Sequence, residues 1–276
     1  MTEAQEVLVY ARDGAVARIT LNRPDKRNAQ NIRMLEDLST AVARAGADPE
    51  VRVIILSGAG PCFSAGHDLA ENANDPEVAR LRASMETRVE FERRYYWQPA
   101  IDLRDVDKPT IAQVHSHCIA GGLMLAAMCD LVVAADDALF SDPVLRMGAA
   151  GVELPVELWA FGAKRAKEVL FTGKIVDART AYEWGFVNRL VSRDRLESET
   201  NELAAQIAAM PPEAMRMLKL SINRSLGLIG MDASFEQHFQ VHQVSHATDE
   251  SRKLLDERRQ AGGMKSYVSK PVQAKG

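Results

Sequence analysis

Two short loops rich in small residues are the first places where this sequence could hold reacting atoms. The loop Cys62–Leu69 follows an apolar β-branched run, and α/β proteins place ligand-binding loops after such strands. The triplet Ala120-Gly121-Gly122 precedes a helical pattern, so its N–H groups suit an anion or a developing oxyanion. Each loop can donate one N–H to a shared point, which would form a two-donor oxyanion hole for a thioester carbonyl. The plainer alternatives are a tight turn for the first loop and close helix–strand packing for the second.

The same glycines do not fit the nucleotide-binding patterns. The spacing G-x-G-x-x-G is absent from the sequence, and there is no phosphate-loop G-K-[ST] motif. A dinucleotide or a nucleoside triphosphate is therefore not the expected ligand of these loops.

Histidines and one aspartate could transfer protons beside these loops. His67 lies within the first loop, and its side chain can point either into the pocket or away from it. His115 and His117 alternate on one predicted strand and would share a face, where a neutral imidazole can act as a base. Asp142, just before Pro143, is a weaker candidate at the pocket edge. For each imidazole, a hydrogen-bonded core histidine is the interpretation that we favour.

Three further histidines recur every four residues on a later predicted helix, namely His238, His242 and His246. Histidines at this spacing can bind a metal, but no acidic partner is evident, and a polar face at a subunit interface is the preferred interpretation. The aromatic run Tyr95-Tyr96-Trp97 could roof an acyl pocket or pack against the body of the domain. The charged run Glu86–Arg94 is most simply a solvated helix face.

The elements that must position these residues alternate between strands and helices. Asp13-Gly14 predicts a hairpin turn, and Asn31 and Asp177 are predicted helix N-caps. Strands are predicted at Val7–Tyr10, Ala15–Leu21, Val51–Leu56, Thr110–His115, Leu131–Ala134 and Leu139–Ser141. Helices are predicted from Ile32 and at Pro76–Gln98, Gly121–Met128, Lys164–Phe171, Ala178–Trp184, Arg195–Met210, Pro212–Leu226 and Ala233–Gln260, before a tail, Met264–Gly276, that is expected to fray. This order predicts an α/β architecture followed by a helical region.

Taken in order, the motifs resemble those of the crotonase (enoyl-CoA hydratase/isomerase) superfamily. No single motif is specific, whereas the ordered set is, and it extends from Val7 to Val191. The set comprises Asn22-Arg23-Pro24 with Asn28-Ala29, Ala65–Leu69, Ala120-Gly121-Gly122, Cys129-Asp130, Phe171-Thr172-Gly173, Ala178 through Ala181 to Trp184-Gly185, and Val187-Asn188.

The resemblance implies a spiral of β-β-α units with a C-terminal helical region that trimerises. Residues 1–200 would form a core that binds a CoA thioester, and residues 201–276 an oligomerisation region. The implied ligand is an acyl-CoA thioester, with coenzyme A entering only as part of the substrate and with neither another cofactor nor a metal. The implied assembly is a homotrimer or a dimer of trimers.

The resemblance also assigns roles to particular residues. The oxyanion-hole donors map to the backbone N–H groups of His67 and Gly121. The residues that would contact coenzyme A are Lys26, Arg27, Ala65, Asp68, Leu69 and Gly122. Arg258 and Arg259 are candidates for the 3′-phosphate contact, which in the family comes from the C-terminal region of a neighbouring subunit.

This sequence departs from the family pattern at both glutamates that hydrate enoyl-CoA. Met124 stands three residues after the oxyanion glycine, and Val144 follows Pro143, where the hydratases have glutamates. Neither side chain can take or give a proton, and each positioned acid or base is worth about 10²–10⁴-fold in rate. Ordinary hydration is therefore not expected at useful rates.

Glu153 is the candidate that could replace the missing acid–base pair. Relatives that isomerise or dehalogenate acyl-CoA place a carboxylate shortly after a glycine that Gly148 matches, and Glu153 stands among Val, Leu and Pro, where burial would raise its pKa. The alternative is that Glu153 caps the next helix or faces solvent. As base it would support isomerisation, hydrolysis or retro-aldol cleavage. The competing hypothesis is a non-catalytic acyl-CoA carrier or regulator, with Met124 and Val144 lining a dry tunnel.

Composition excludes several other classes of protein. The formal net charge of −4 and the pI near 5.9 give no general attraction to nucleic acid or to anionic membranes. The three cysteines show no metal-ligand spacing and are read as reduced thiols, and the N-terminus has no basic region before an apolar run. We therefore expect a cytoplasmic protein that binds neither nucleic acid nor membranes.

Overall fold

The computed structural model describes residues 6–260, apart from the side chains of residues 72–74 and 258–260. Its strands are β1 (Leu8–Asp13), β2 (Val16–Leu21), β3 (Val53–Gly58), β4 (Thr110–Val114), β5 (His117–Ile119), β6 (Leu131–Ala135), β7 (Leu139–Ser141), β8 (Val176–Asp177) and β9 (Arg189–Val191). Its helices are α1 (Ile32–Ala47), α2 (Leu69–Asn74), α3 (Pro76–Leu81), α4 (Met85–Glu92), α5 (Gln98–Asp105), α6 (Gly121–Met128), α7 (Val156–Phe161), α8 (Ala163–Thr172), α9 (Ala178–Glu183), α10 (Leu196–Ala208), α11 (Pro212–Leu228), α12 (Met231–His246) and α13 (Asp249–Gln260).

The strands form two sheets. The larger sheet has the order β1-β2-β3-β4-β6-β9, in which β1 is antiparallel to β2 and every later pair is parallel. The smaller sheet has the order β5-β7-β8, with β5 parallel and β8 antiparallel to β7. Since parallel neighbours need crossover connections, helices must lie against the larger sheet and cover it.

The strand β3 shows why its sequence is apolar at consecutive positions. Ile54 and Leu56 pack into the main core, which also contains side chains of α1, α5 and α6. Val53 and Ile55 point to the opposite face and pack with Leu196 and Ala204 of α10. Both faces are covered, so the period-two alternation of side chains gives a continuous apolar run.

Several predicted boundaries differ from the structure for local reasons. The hairpin turn falls on Gly14 and Ala15 because Asp13 still pairs with Val16, and Gly14 takes the positive φ of 54°. The segment predicted as one polar helix is divided by Arg82–Ser84 into α3 and α4, and a π-helical turn at Arg93–Trp97 then joins α4 to α5.

The last predicted helix is also divided. Ala233–Gln260 was expected to be continuous, but α12 ends at His246 and α13 begins at Asp249. The hydroxyl of Thr248 accepts a hydrogen bond from the N–H of Ser251 at the start of α13. A threonine that bonds to the backbone in this way caps a new helix rather than continuing the old one.

The prediction of an α/β architecture followed by C-terminal helices is confirmed. The caps at Asn31 and Asp177 are confirmed too, since their side chains accept from Met34 N–H and Thr180 N–H. The expected boundary at residues 200 and 201 falls within α10, and the division into two regions stays a prediction. Between residues 6 and 260, no helix combines the length and the apolar composition needed to cross a membrane.

Candidate functional site

The first glycine-containing loop is tied to the segment that precedes α1. The side chain of Asn28, fully buried, donates from Nδ2 to the carbonyls of Ala59, Cys62 and Phe63, and its Oδ1 accepts from Arg23 N–H. Asn28 itself has φ 51°, a left-handed conformation that asparagine tolerates better than most residues. One side chain therefore ties the start of this loop to the segment before α1.

A parallel bridge sets the direction of the N–H of His67. Gln30 N–H donates to Gly66 O at 2.8 Å, and Asp68 N–H donates to Gln30 O at 2.8 Å. Because the two flanking residues make these bonds, the N–H of His67 points away from the Gln30 segment. Ala65 N–H also donates to Arg27 O at 2.9 Å, which places Lys26 and Arg27 beside the loop.

The second loop meets the first at Gly121. A Cβ added to Gly66 would lie 3.2 Å from Gly121 N and 2.8 Å from Ile119 O, so only glycine permits this approach. Gly121 begins α6, and its N–H belongs to the first turn, which has no partner within the helix. Ala120 before it has φ 49° and ψ −114°, a strained conformation that aims the next peptide.

The His67 side chain lies against this junction. A Cβ added to Gly121 would lie 2.8 Å from His67 Cε1 and 3.0 Å from His67 Nδ1. The ring stacks on Tyr96 with centroids 3.9 Å apart and planes 15° apart. His67 Nε2 lies 3.1 Å from Oε2 of Glu153, while Nδ1 is buried without a hydrogen-bond partner among residues 6–260.

Glu153 is buried, with 4% exposure, so the alternatives in which it faces solvent or caps the next helix are excluded. Its Oε2 contacts His67, and its Oε1 lies 3.9 Å from Nε2 of His242. Burial acts to raise the pKa of Glu153, yet the charge and hydrogen bond of His67, together with the charge of His242, lower that pKa to about 2. The expectation of a raised pKa is therefore wrong, and Glu153 is an ionised carboxylate at neutral pH.

A second buried carboxylate, Glu92, lies on the other side of His242. His242 Nε2 is 3.3 Å from Oε2 of Glu92, and Oε1 of Glu92 is 3.8 Å from Nε2 of His246. The sequence expectation that these histidines have no acidic partner is wrong. Glu92 was missed because the charged run around it predicts a solvated face, whereas its exposure is 1%. His238 lies apart, with Nε2 2.8 Å from Val152 O.

Met124 and Val144, the positions where the resemblance led us to expect glutamates in hydratases, belong to the apolar core. Met124 is fully buried and Val144 is 7% exposed. Asp142, expected at a pocket edge, is instead completely buried and accepts from the N–H groups of Val144 and Val152. Its burial raises its pKa to about 6, despite these two hydrogen bonds. Asp142 thus braces the loop before Glu153, and the pocket-edge position was wrong.

The remaining histidine expectation is also corrected. His115 and His117 do not share a strand face, because Ser116 has φ 49° and separates β4 from β5 in the other sheet. His115 is buried, and its Nε2 lies 3.1 Å from Gly60 O. His117 is exposed, and its Nδ1 lies 3.0 Å from Ser116 Oγ. Their carbonyls accept from Phe63 N–H and Ser64 N–H of the first loop, but the recorded hydrogen bonds of their side chains lead elsewhere.

The predicted coenzyme A contacts lie together around the first loop. Lys26 and Arg27 are exposed, and Leu69 begins α2 after a turn in which its N–H donates to His67 O. The side chain of Asp68 is engaged locally, because it caps α2 at Glu71 N–H and pairs with Arg23.

Gly122 serves close packing, because an added Cβ would lie 2.8 Å from Ser64 O. The side chains of Arg258 and Arg259 lie outside the described part of the chain, as does the tail from Met264.

One residue at the junction, Gln30, had no sequence signal, whereas its neighbour Tyr96 did. Gln30 is fully buried, and its Oε1 has no hydrogen-bond partner among residues 6–260 although it would lie 2.7 Å from a Cβ added to Gly121. Tyr96 was expected either to roof a pocket or to pack, and it does the latter against His67 and Phe91. Trp97 packs on Phe235 and Phe239.

Comparison with known proteins places this geometry in a family. Residues 11–271 match the family model described as enoyl-CoA hydratase/isomerase. The chain is 40% identical over 249 residues to EchA13 of Mycobacterium tuberculosis H37Rv, which is named a putative enoyl-CoA hydratase. This match covers 85% of this chain and 78% of that protein. It is 34% identical over 218 residues to 4-chlorobenzoyl coenzyme A dehalogenase-2 of an Arthrobacter species, covering 77% of this chain and 76% of the relative.

A crystal structure described as a probable enoyl-CoA hydratase from Mycobacterium smegmatis superposes with a TM-score of 0.84. It is 44% identical to this chain, and the match covers 91% of this chain and 98% of that one. The family model, the sequence relatives and the solved structure agree, and the chain belongs to the enoyl-CoA hydratase/isomerase family.

Proposed function

We propose that this protein binds an acyl-CoA thioester and stabilises its enolate. The thioester carbonyl would lie between the N–H groups of His67 and Gly121, each worth about 3–4 kcal/mol to the developing oxyanion. Membership of the family supports the ligand class. The close approach of Gly66 to Gly121 and the strained backbone at Ala120 support the paired donors.

The proton acceptor in this proposal is Nδ1 of His67, with Glu153 as the positioning residue. The observation that carries it is the 3.1 Å contact between His67 Nε2 and Glu153 Oε2 beside Gly121. An ionised Glu153 accepts the Nε2 hydrogen, which leaves the lone pair on Nδ1, the ring atom that has no partner among the described residues. Both oxygens of Glu153 face histidines, so its own access to a substrate carbon is poor.

The reaction that fits is movement of a proton at the carbon next to the thioester, as in isomerisation. His67 would remove the α-proton, and the C–H electron pair would move onto the thioester oxygen as the enolate. Ordinary hydration stays doubtful, because Met124 and Val144 place apolar groups where the family's hydratases have glutamates. No cofactor or metal takes part in this step.

Coenzyme A would lie along the first loop. The exposed cations Lys26 and Arg27 suit its phosphates, and the backbone around Ala65 and Leu69 would hold the adenine end. We assign no direct contact to the side chain of Asp68 or to Gly122, because both are engaged in local structure.

The test is exchange of the α-protons of butyryl-CoA into deuterated buffer, followed by NMR with wild-type protein. His67→Gln keeps the backbone donor but loses the base, so exchange should fall at least about 100-fold while binding of butyryl-CoA persists. Glu153→Gln should slow exchange less, by about 10-fold. His117→Gln, an exposed histidine on β5, is the matched control and should change neither quantity.

The outcomes separate the enzyme from the alternative of a carrier. Tight binding without exchange in the wild type would support a non-catalytic acyl-CoA carrier. Exchange that survives in His67→Gln would refute the assignment of the base. Failure to bind butyryl-CoA would refute both hypotheses. Rapid loss of enoyl absorbance from crotonyl-CoA would show that hydration does not need glutamates at residues 124 and 144.

We propose a homotrimer or a dimer of such trimers, in the cytoplasm. Apolar side chains stand exposed on α11 and beyond it, which supports burial against another copy; they include Met217, Leu218, Ile222, Leu228 and Ile229. Light scattering of the purified chain would give the number of copies, and a monomer would refute the assembly.

A further inference from the structure

A cluster of three potential metal ligands lies beside the proposed reaction centre but outside its chemistry. It consists of Glu92 at the end of α4 and of His242 and His246, four residues apart on α12. Side-chain exposure is 1% for Glu92, 3% for His242 and 18% for His246. One ligand atom from each residue lies within 4.8 Å of the others. The cluster is thus buried, with one edge open at His246.

The spacing of the ligand atoms is that of a tetrahedral metal site. Nitrogen and oxygen ligands about 2.1 Å from a tetrahedral ion lie about 3.4 Å from one another. The two Nε2 atoms of His242 and His246 are 3.1 Å apart, and His242 Nε2 is 3.3 Å from Oε2 of Glu92. His246 Nε2 is 3.8 Å from the other carboxylate oxygen, Oε1 of Glu92. Small shifts of the side chains would suffice to enclose an ion.

The surroundings orient the ligands as those of metal sites do. His242 Nδ1 lies 2.9 Å from Gly151 O, which fixes the hydrogen on Nδ1 and presents the Nε2 lone pair to the cluster. Gln243 donates from Nε2 to Glu92 Oε2 at 2.6 Å and holds the carboxylate. A backbone carbonyl and an amide therefore set the direction of two of the three ligands.

Without a cation the cluster is short of hydrogens. Nε2 of a neutral His242 and the oxygens of Glu92 are all acceptors. His246 Nε2 supplies at most one hydrogen to them, and Gln243 supplies one to Oε2 of Glu92. A divalent cation would bind the three facing ligand atoms at once.

We propose that Glu92, His242 and His246 bind a divalent transition metal of the Zn²⁺ type. Two imidazoles and one carboxylate favour Zn²⁺ or Co²⁺ over Mg²⁺, which prefers oxygen ligands. The fourth position would hold water. The metal would staple α4 to α12, two helices that are far apart in sequence. It would also stand one carboxylate away from His67, since Glu153 contacts both His67 and His242.

The test is titration of chelator-stripped, untagged wild-type protein with Zn²⁺ by calorimetry and with Co²⁺ by visible absorption. We expect one ion per chain, the intense visible bands of tetrahedral Co²⁺, and no saturable binding of Mg²⁺. His246→Gln should weaken Zn²⁺ binding by at least about 10-fold, because it removes a ligand rather than a supporting group. His117→Gln, an exposed histidine outside the cluster, should bind as the wild type does.

Two results would overturn the proposal. One is a wild-type chain that takes up no stoichiometric Zn²⁺ or Co²⁺, and this measurement stands even where a variant fails to fold. The other is unchanged Zn²⁺ affinity in His246→Gln with native circular dichroism. A shift of Tm with added Zn²⁺ that is present in the wild type and lost in His246→Gln would agree with the titrations.

Discussion

The substitution Asn28→Ala should strongly destabilise the protein, because it removes several buried hydrogen bonds at once. The two hydrogens on Nδ2 serve three carbonyls, and Oδ1 accepts one N–H, so about three net hydrogen bonds are lost, each worth about 1 kcal/mol. Alanine at φ 51° adds about 1 kcal/mol of left-handed strain. We expect a loss of about 4 kcal/mol in the free energy of unfolding.

Two further variants separate these contributions. Asn28→Gly tolerates the left-handed backbone, so it should lose about 1 kcal/mol less than the alanine variant. Asn22→Ala removes one exposed bond to Glu6 O and should cost less than about 1 kcal/mol. Urea unfolding at one fixed chain concentration, followed by tryptophan fluorescence, gives the differences. An Asn28→Ala protein within about 1 kcal/mol of the wild type, with an unchanged m-value, would refute the count.

Three other predictions follow from the backbone and from buried groups. Gly66→Ala should abolish the native junction, since its Cβ would lie 2.8 Å from Ile119 O. Gly14→Ala meets open space and should lower the free energy of unfolding by only about 1 kcal/mol. Urea unfolding of both variants would measure the difference. Burial and the charge of Asp142 raise the pKa of Glu157 well above 4.5, so the wild type loses stability as pH rises above that value. Glu157→Gln should lack this loss, so its free energy of unfolding should rise relative to that of the wild type between about pH 5 and pH 8. The same difference in free energy of unfolding between the two proteins at both pH values would contradict the prediction. Burial raises the pKa of Cys129 to about 12, and all three thiols are buried. A thiol reagent should therefore label the native chain slowly, and it should label three thiols after the chain is unfolded. Fast labelling of the folded chain would show that this burial is not maintained.

The elements that the sequence predicts well are those with a local cause. The run around β3 is apolar on both faces, and the caps at Asn31 and Asp177 are polar side chains that satisfy the first turn of a helix. The sequence also led us to expect the two loops to face one another, and Gly66 does approach Gly121, although the loops follow strands of different sheets.

The errors arise from one unexpected backbone conformation and from contacts between residues distant in the chain. His115 and His117 look like one strand, but a single left-handed residue between them moves His117 to the other sheet. The contacts of Glu153 with His67 and of Glu92 with His242 join residues far apart in the chain, and no spacing in the sequence marks them. The polar run around Glu92 even predicts exposure, and tertiary packing overrides that pattern.

The contacts that α12 makes with the loop before α7 set an order for folding. His238 bonds to the carbonyl of Val152, 86 residues earlier, and His242 to that of Gly151, 91 residues earlier. On a ribosome these carbonyls emerge long before the imidazoles that serve them, and closing such long loops carries a large entropic cost. The backbone beside Glu153 therefore acquires its final partners only after α12 docks, so the surroundings of this carboxylate mature late in folding.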